Sequence, residues 1–193
     1  VDVTDLDEND PVITGPSGEV GDATSAASIV ENTTAVHSFT ADETVTWSLG
    51  ESADRDKFAI DETTGSLSFV SAPDYESPTD FDANNTYVVS VNATDTAGNE
   101  SSQTVTVEVT DVDEINPVIT GPSGEAGDTS SSISIDENKI VVGSFSADET
   151  VTWSLNGGSD QDNFVIDETT GSLSFISAPD FENPTDSDAN NTY

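Results

Sequence analysis

Asp61–Phe69 reads DETTGSLSF, and the same nine residues return unchanged at Asp167–Phe175. Leu67 and Phe69 alternate with Ser66 and Ser68, the period-two pattern of a half-buried strand. Thr64-Gly65 ahead of them supplies the turn. Working outward, a shift of 106 residues lays Val1–Tyr87 on Val107–Tyr193 without a gap, and 61 of the 87 aligned positions are identical. PVITGPSG and ADETVTWSL also recur intact. A period of 106 is too long for a helical or leucine-rich solenoid. It matches one whole sandwich domain of about 100 residues.

The rest of the first repeat reads as β. Val45, Trp47 and Leu49 alternate with Thr44, Thr46 and Ser48. Tyr87, Val89, Val91 and Ala93 alternate with Val88, Ser90, Asn92 and Thr94, and Val105, Val107 and Val109 with Thr104, Thr106, Glu108 and Thr110. Shorter strands are predicted at Pro11–Ile13, Ser28–Val30, Val36–Phe39 and Phe58–Ile60, divided by Gly15-Pro16 and Ala97-Gly98-Asn99. No helical period runs over ten residues. These signals predict an all-β fold of tandem Greek-key β-sandwich repeats, with Ile29, Phe39, Val45, Trp47, Leu49, Phe58, Ile60, Leu67, Phe69, Tyr87, Val89, Val91, Val105, Val107 and Val109 as the core.

The repeats divide the chain into residues 1–10, the end of a preceding repeat with its linker; 11–113, a complete repeat; and 114–193, a second repeat. Tyr193 aligns with Tyr87, so 114–193 is expected to lack two of about seven strands. Completion is expected from further residues of a longer chain or from a strand donated by a neighbouring subunit.

Charge narrows the function. The chain carries 39 acidic and 3 basic residues, a formal charge of −36. Phosphate backbones and anionic membranes are excluded as partners, since both require clustered Lys and Arg. No apolar run reaches membrane-spanning length, so membrane insertion is not expected. Low hydrophobicity with high charge is the signature of disorder, but the regular alternation and turn spacing specify strands. A compact fold with this charge repels itself unless salt screens it or cations neutralise it.

The acids crowd into loops and joints. Asp5-Leu6-Asp7-Glu8-Asn9-Asp10-Pro11 recurs as Asp111-Val112-Asp113-Glu114-Ile115-Asn116-Pro117, and Asp74-Tyr75-Glu76 runs on to Asp80, Asp82, Asn84 and Asn85. Glu31, Asp42 and Asp95 stand singly in other loops. Hard cations such as calcium take six to eight oxygen ligands, which carboxylates, Asn and carbonyls supply. An EF-hand does not fit, because the sixth position from Asp5 is Asp10 and the twelfth is Pro16. Glycine-rich calcium nonapeptides are absent.

SIVEN at Ser28–Asn32, FAIDETTGSLSF at Phe58–Phe69, DYE at Asp74–Glu76, NATD at Asn92–Asp95 and DVDEINP at Asp111–Pro117 together resemble, in that order, the motifs of the cadherin repeat. The acidic, Thr-rich composition looks more like the cadherin-like repeats of bacterial giant adhesins than like animal cadherins. The resemblance implies calcium at each joint. For the joint between the repeats it nominates Glu31, Asp74, Glu76, Asp111, Asp113 and Glu114, with Asp148 from the second repeat. For the joint before the first it nominates Asp5, Asp7, Glu8, Asp42 and Asp95. Thr44 and Thr150 replace the second acid of a paired-Asp motif, which implies fewer than three ions per joint. The loop Ser77–Asn85 exceeds the family length and is a candidate for an ion of its own.

Catalysis is not expected. There is no cysteine, the carboxylate clusters lack an apolar setting that raises a pKa, and His37 aligns with Gly143. Trp47 and Trp153 fall on inward strand positions, as core residues do. The expected function is a calcium-stiffened extracellular stalk of a surface adhesin or filament, on a bacterial cell, whose partners are neighbouring repeats or strand-donating subunits. The alternatives are a carbohydrate-binding accessory module, which needs exposed aromatics on a concave face, and homophilic adhesion.

Overall fold

The computed structural model describes residues 7–193. Asp5 and the strand end predicted at Val1–Thr4 lie outside the described residues. The chain divides into two compact units, the first running to Asp113 and the second covering Glu114–Tyr193.

Among the described residues the first unit has nine strands: β1 (Ile13–Thr14), β2 (Thr24–Val30), β3 (Ala35–Ser38), β4 (Thr40–Ala41), β5 (Val45–Leu49), β6 (Phe58–Ile60), β7 (Ser66–Phe69), β8 (Thr86–Asp95) and β9 (Glu100–Thr110). One sheet runs β2-β9-β8-β5, a second runs β3-β7-β6, and β1 pairs with β4. β8 and β9 are a long antiparallel hairpin, from Thr86↔Glu108 to Thr94↔Glu100. β2 joins its far side in parallel, Thr24↔Thr104 to Val30↔Thr110. This pairing joins residues about 80 apart in the chain, as only a crossover connection permits.

Alternation sets which face is buried. Along β8 every second residue is buried, beginning with Tyr87. Val89, Val91, Ala93, Val105, Val107 and Val109 are at most 1% exposed and meet Trp47, Phe58, Leu67 and Phe69 in one core. Ile29, Val45, Leu49 and Ile60, expected in the core, are partly buried at its margin, while Ile13 and Ala93 join it. Phe69 stands edge-on to Tyr87 with ring centroids 4.9 Å apart, a favoured aromatic geometry.

The turn before β7 shows how a short sequence is read. Asp61 Oδ1 accepts the N–H groups of Thr63 (3.0 Å) and Thr64 (2.7 Å) and the Thr64 hydroxyl (2.9 Å). Gly65 follows at φ +68°, where an added Cβ would lie 2.8 Å from the Phe39 carbonyl oxygen and 2.9 Å from the Trp47 indole. Only glycine tolerates both the left-handed backbone and that approach.

The long loop ahead of β8 is tied down by Asp54, which is 3% exposed. Its Oδ1 accepts the Phe81 N–H at 2.7 Å and its Oδ2 the Val88 N–H at 2.7 Å. Two backbone donors thus depend on one carboxylate. The second unit contains β10 (Ile119–Thr120), β11 (Val141–Ser144), β12 (Ser146–Ala147), β13 (Phe164–Ile166) and β14 (Ser172–Phe175), paired β10-β12 and β11-β14-β13.

Asp54→Ala is expected to destabilise the first unit by about 2–4 kcal/mol, the cost of two charge-assisted hydrogen bonds and their stranded donors. Asp56→Ala, removing a side chain 96% exposed, is expected to stay within about 0.5 kcal/mol. Urea unfolding of the two variants checks the contrast.

Candidate metal centres

Glu31 follows β2 directly and is 2% exposed. A buried carboxylate requires donors. Its Oε2 accepts the Tyr75 N–H at 2.8 Å and its Oε1 the Val112 N–H at 2.8 Å. It therefore pins the DYE loop and the chain leaving β9 to the same end of the unit. Those two contacts, Tyr75 first, hold its carboxyl below the ordinary value of 4.5, against the opposing effect of burial.

This pinning gathers further acids. One carboxylate oxygen each from Glu31, Glu76 and Asp111 lies within 4.8 Å of the others. Glu76 is pulled down by its own backbone N–H, but lost hydration and the charges of Glu31, Asp111 and Asp74 outweigh this, so its carboxyl lies above the ordinary value. Asp74 adds negative charge nearby while its Oδ1 accepts the Ser77 N–H at 3.0 Å. Asp113 closes the first unit and Glu114 opens the second; neither belongs to this group of three.

A second group forms where Asp7, Glu43 and Asp95 bring oxygens within 4.8 Å of one another. Asp95 ends β8, and its Oδ1 accepts the N–H groups of Gly98 (2.6 Å) and Asn99 (2.8 Å) while its Oδ2 accepts the Asn99 side-chain amide at 2.7 Å. Burial opposes its ionisation, but these donors prevail and its carboxyl is lowered. Glu43 is raised, first by lost hydration and then by the charges of Asp7, Asp95 and Asp42. Asp42 itself caps the chain entering β1, accepting the Val12 N–H at 2.8 Å. Glu8 is exposed and outside the group.

In the second unit Glu137, Asp180 and Glu182 form a third group within the same 4.8 Å. They are Glu31, Asp74 and Glu76 displaced by the 106-residue period. Glu137 Oε2 accepts the Phe181 N–H at 3.0 Å, as Glu31 does that of Tyr75. Asp148 likewise repeats Asp42, accepting the Val118 N–H at 2.8 Å. Glu43 and the third group were not singled out from the sequence. The period itself points to Glu137, Asp180 and Glu182, whereas Glu43 is hidden beside Asp42.

In the loop Ser77–Asn85 the acids accept hydrogen bonds from within the loop. Asp80 accepts the backbone N–H groups of Asn84 (2.9 Å) and Asn85 (3.1 Å), and Asp82 accepts the Asn84 amide at 2.9 Å. Its acids are committed to closing the loop, and among the described residues no three of them converge there.

The groups of three fit a hard divalent cation. Their donors are all carboxylate oxygens, the kind calcium takes. The carboxyls of Glu76 and Glu43 are raised first by lost hydration and then by repulsion from neighbouring acids, and a cation would relieve the repulsion.

The model of the cadherin domain matches residues 19–110. The match covers just under half of the chain. Both ends of the matched stretch, Glu31 with Glu76 and Glu43 with Asp95, supply members of the acidic groups. Among solved structures, the chain is similar to human CDH23 EC21-23, with 20% identity, coverage of 93% of this chain and 58% of that one, and a TM-score of 0.47. It is also similar to protocadherin gammaB7 EC3-6, solved as a cis-dimer, with 22% identity, coverage of 90% and 41%, and a TM-score of 0.45. The third cadherin domain of human protocadherin 7 is 19% identical, with coverage of 60% and 98% and a TM-score of 0.43. The chain thus spans about half the length of the first two. No curated protein matches it.

The carboxyl shifts set a pH dependence for metal-free protein. Glu31 and Asp61 are lowered in the fold, so their stabilisation is present above their ordinary values of 4.5 and 3.8 and is lost as pH falls through the lowered ones. Glu76 and Glu43 are raised, so their contribution is fully present below 4.5 and is lost as pH rises through the raised values. With chelator present, the urea midpoint is expected to rise as pH falls from 7 toward the ordinary glutamate value, then to drop below it. Glu43→Gln with Glu76→Gln is expected to flatten the neutral-side rise. A midpoint already independent of pH there in the parent chain would contradict the assignment.

Proposed function

We propose that this chain is a run of extracellular, calcium-stiffened cadherin repeats that act as a spacer in a cell-surface adhesin or filament. The observation that carries the reading is the convergence of Glu31, Glu76 and Asp111 around a buried, backbone-pinned carboxylate at the end of the stretch that matches the cadherin domain. Residues 11–113 are one repeat and 114–193 belong to the next. At the joint between them, Asp74, Asp113, Glu114 and Asp148 join the three as ligands. Asp5, Asp7, Glu8, Asp42, Glu43 and Asp95 serve the preceding joint. Calcium there supplies positive charge that the chain, with 3 basic residues, does not supply itself.

Glu31 does the positioning. With each of its oxygens on one backbone N–H, it fixes the DYE loop and the linker while retaining lone pairs for a cation. Asp42 and Asp148 hold the strand entries in the same way. A spacer needs this economy, because every repeat presents the same set at the same place, and near-identical repeats give a uniform rod. The absence of cysteine and the strongly acidic surface favour a bacterial cell envelope setting, with attachment or biofilm formation as the task.

Extracellular calcium modules bind with Kd of about 10⁻⁴–10⁻³ M. Loading a site to 100 times its Kd stabilises by about 2.7 kcal/mol. The melting temperature of the first unit is therefore expected to climb as calcium passes through that range, and small-angle scattering is expected to report a larger radius of gyration. Asp111→Ala is expected to blunt both responses and Asp56→Ala neither. Identical melting and scattering in chelator and in millimolar calcium would sink the reading.

A further inference from the structure

The backbone of Tyr75 is held on both sides. Its N–H donates to Glu31 Oε2 at 2.8 Å, and its carbonyl accepts the side-chain amide of Asn85, Nδ2, at 2.9 Å. The second contact falls on the peptide that joins Tyr75 to Glu76, so it fixes the direction in which the Glu76 side chain leaves the loop. Glu76 must approach Glu31 and Asp111 for the three carboxylates to lie within 4.8 Å. Glu31 alone restrains only the near side of Tyr75; Asn85 supplies the other restraint.

Asn85 is itself firmly placed. It sits at φ +64°, a left-handed backbone that asparagine adopts readily. Its N–H donates to Asp80 Oδ1 at 3.1 Å, and its carbonyl accepts the Val109 N–H at 2.9 Å, two residues before Asp111. Its Oδ1 is buried with no partner among the described residues, which costs free energy. The amide keeps this direction because, turned over, that oxygen would oppose the Tyr75 carbonyl. The arrangement recurs in the second unit. Asn191, at φ +62°, donates through Nδ2 to the Phe181 carbonyl at 3.1 Å, while the Phe181 N–H donates to Glu137 Oε2 at 3.0 Å. Tyr75 and Phe181 differ in side chain, so the contact reads the backbone.

We propose that Asn85 is the positioning residue of the Glu31, Glu76 and Asp111 group, latching the loop Ser77–Asn85 to the DYE loop and setting the approach of Glu76. Its use rests on the calcium reading above, but the latch is a property of the metal-free chain. An aspartate at this position would set a carboxylate oxygen against a carbonyl; the amide supplies the donor that this contact requires. Asp80 acts one step further back, closing the turn that presents Asn85. The long acidic loop thus serves the joint without holding an ion of its own.

Asn85→Gly removes the amide and keeps the left-handed backbone. Ala83→Gly, at φ +55° two residues earlier, is the matched control. Both are made in the whole 193-residue chain and read residue by residue by NMR. In chelator, exchange of the Tyr75 N–H is expected to quicken about three- to tenfold in Asn85→Gly, the range that one hydrogen bond spans, and to be unchanged in Ala83→Gly. In a calcium titration, the midpoint seen at Tyr75 and Glu76 is expected to rise by the same factor, while that seen at Asp95 and Gly98, beside the other group, stays where it is. Asn85→Asp keeps the size of the side chain and turns the donor into an acceptor; it too is expected to quicken Tyr75 exchange, and it decides the matter if the glycine variant does not fold. The proposal is overturned if Tyr75 exchanges at the parent rate without the amide, if Ala83→Gly quickens it equally, or if the calcium midpoints of both groups shift together. A parent chain whose Tyr75 and Glu76 signals ignore calcium overturns the calcium reading instead, and the exchange rates in chelator still decide the latch.

Discussion

Thirty-nine carboxylates share three basic side chains, so an acid that leaves water must find its positive partner in a backbone N–H or in an ion from outside. The interior of the first unit is organised by the first solution. Glu31, Asp54, Asp80 and Asp95 are all buried, and each is held by main-chain donors. In each case the carboxylate ties together segments that hydrophobic packing alone would leave loose. Acidic loops thereby become rigid at little cost in unsatisfied charge. The acids left over are those that the pinned loops bring face to face. Their raised carboxyls at Glu43 and Glu76 mark where the second solution is needed.

The same dependence on a partner governs the backbone. A Thr- and Ser-rich strand with three apolar residues has little reason to be extended by itself, since β-propensity is mainly a matter of packing against neighbours. VTWSL makes the point as β5, where it pairs with β8 from Val45↔Asp95 to Leu49↔Val91. The hairpin β8–β9 is therefore the spine of the first unit, and everything else in its larger sheet hangs on it. The Phe58–Phe69 contact is less dependent, and Phe164–Phe175 repeats its 4.4 Å spacing, because β6 and β7, like β13 and β14, pair with each other.

Period-two alternation made the strands legible, and the all-β fold with them. β8 could be read nearly to its ends, whereas β9 was legible only from Thr104, because its first residues, Glu100–Gln103, are all polar. What sequence did not disclose was topology at long range: nothing in Thr24–Val30 says that it pairs in parallel with a strand some 80 residues away. Among the acids, Glu31, Glu76, Asp111, Asp7 and Asp95 stood out because they sit in motifs. Glu43 did not, because a neighbouring acid occupied the motif position and its direction depends on the turn that Asp42 caps. The loop Ser77–Asn85 could not be read from composition. A row of Asp and Asn looks like a ligand set, but turn geometry decides where such oxygens face: those of Asp80 accept the loop's own N–H groups, whereas Asn85 Oδ1 is buried with no partner among the described residues.

The claim on which this account rests is that the carboxylates unsatisfied by the backbone converge in order to hold a cation. Crystals grown in calcium and measured for anomalous scattering address it directly. The account predicts a peak at the group of Glu31, Glu76 and Asp111, with carboxylate oxygens at about 2.3–2.6 Å from it. Crystals saturated with calcium in which those three carboxylates surround only water would contradict it.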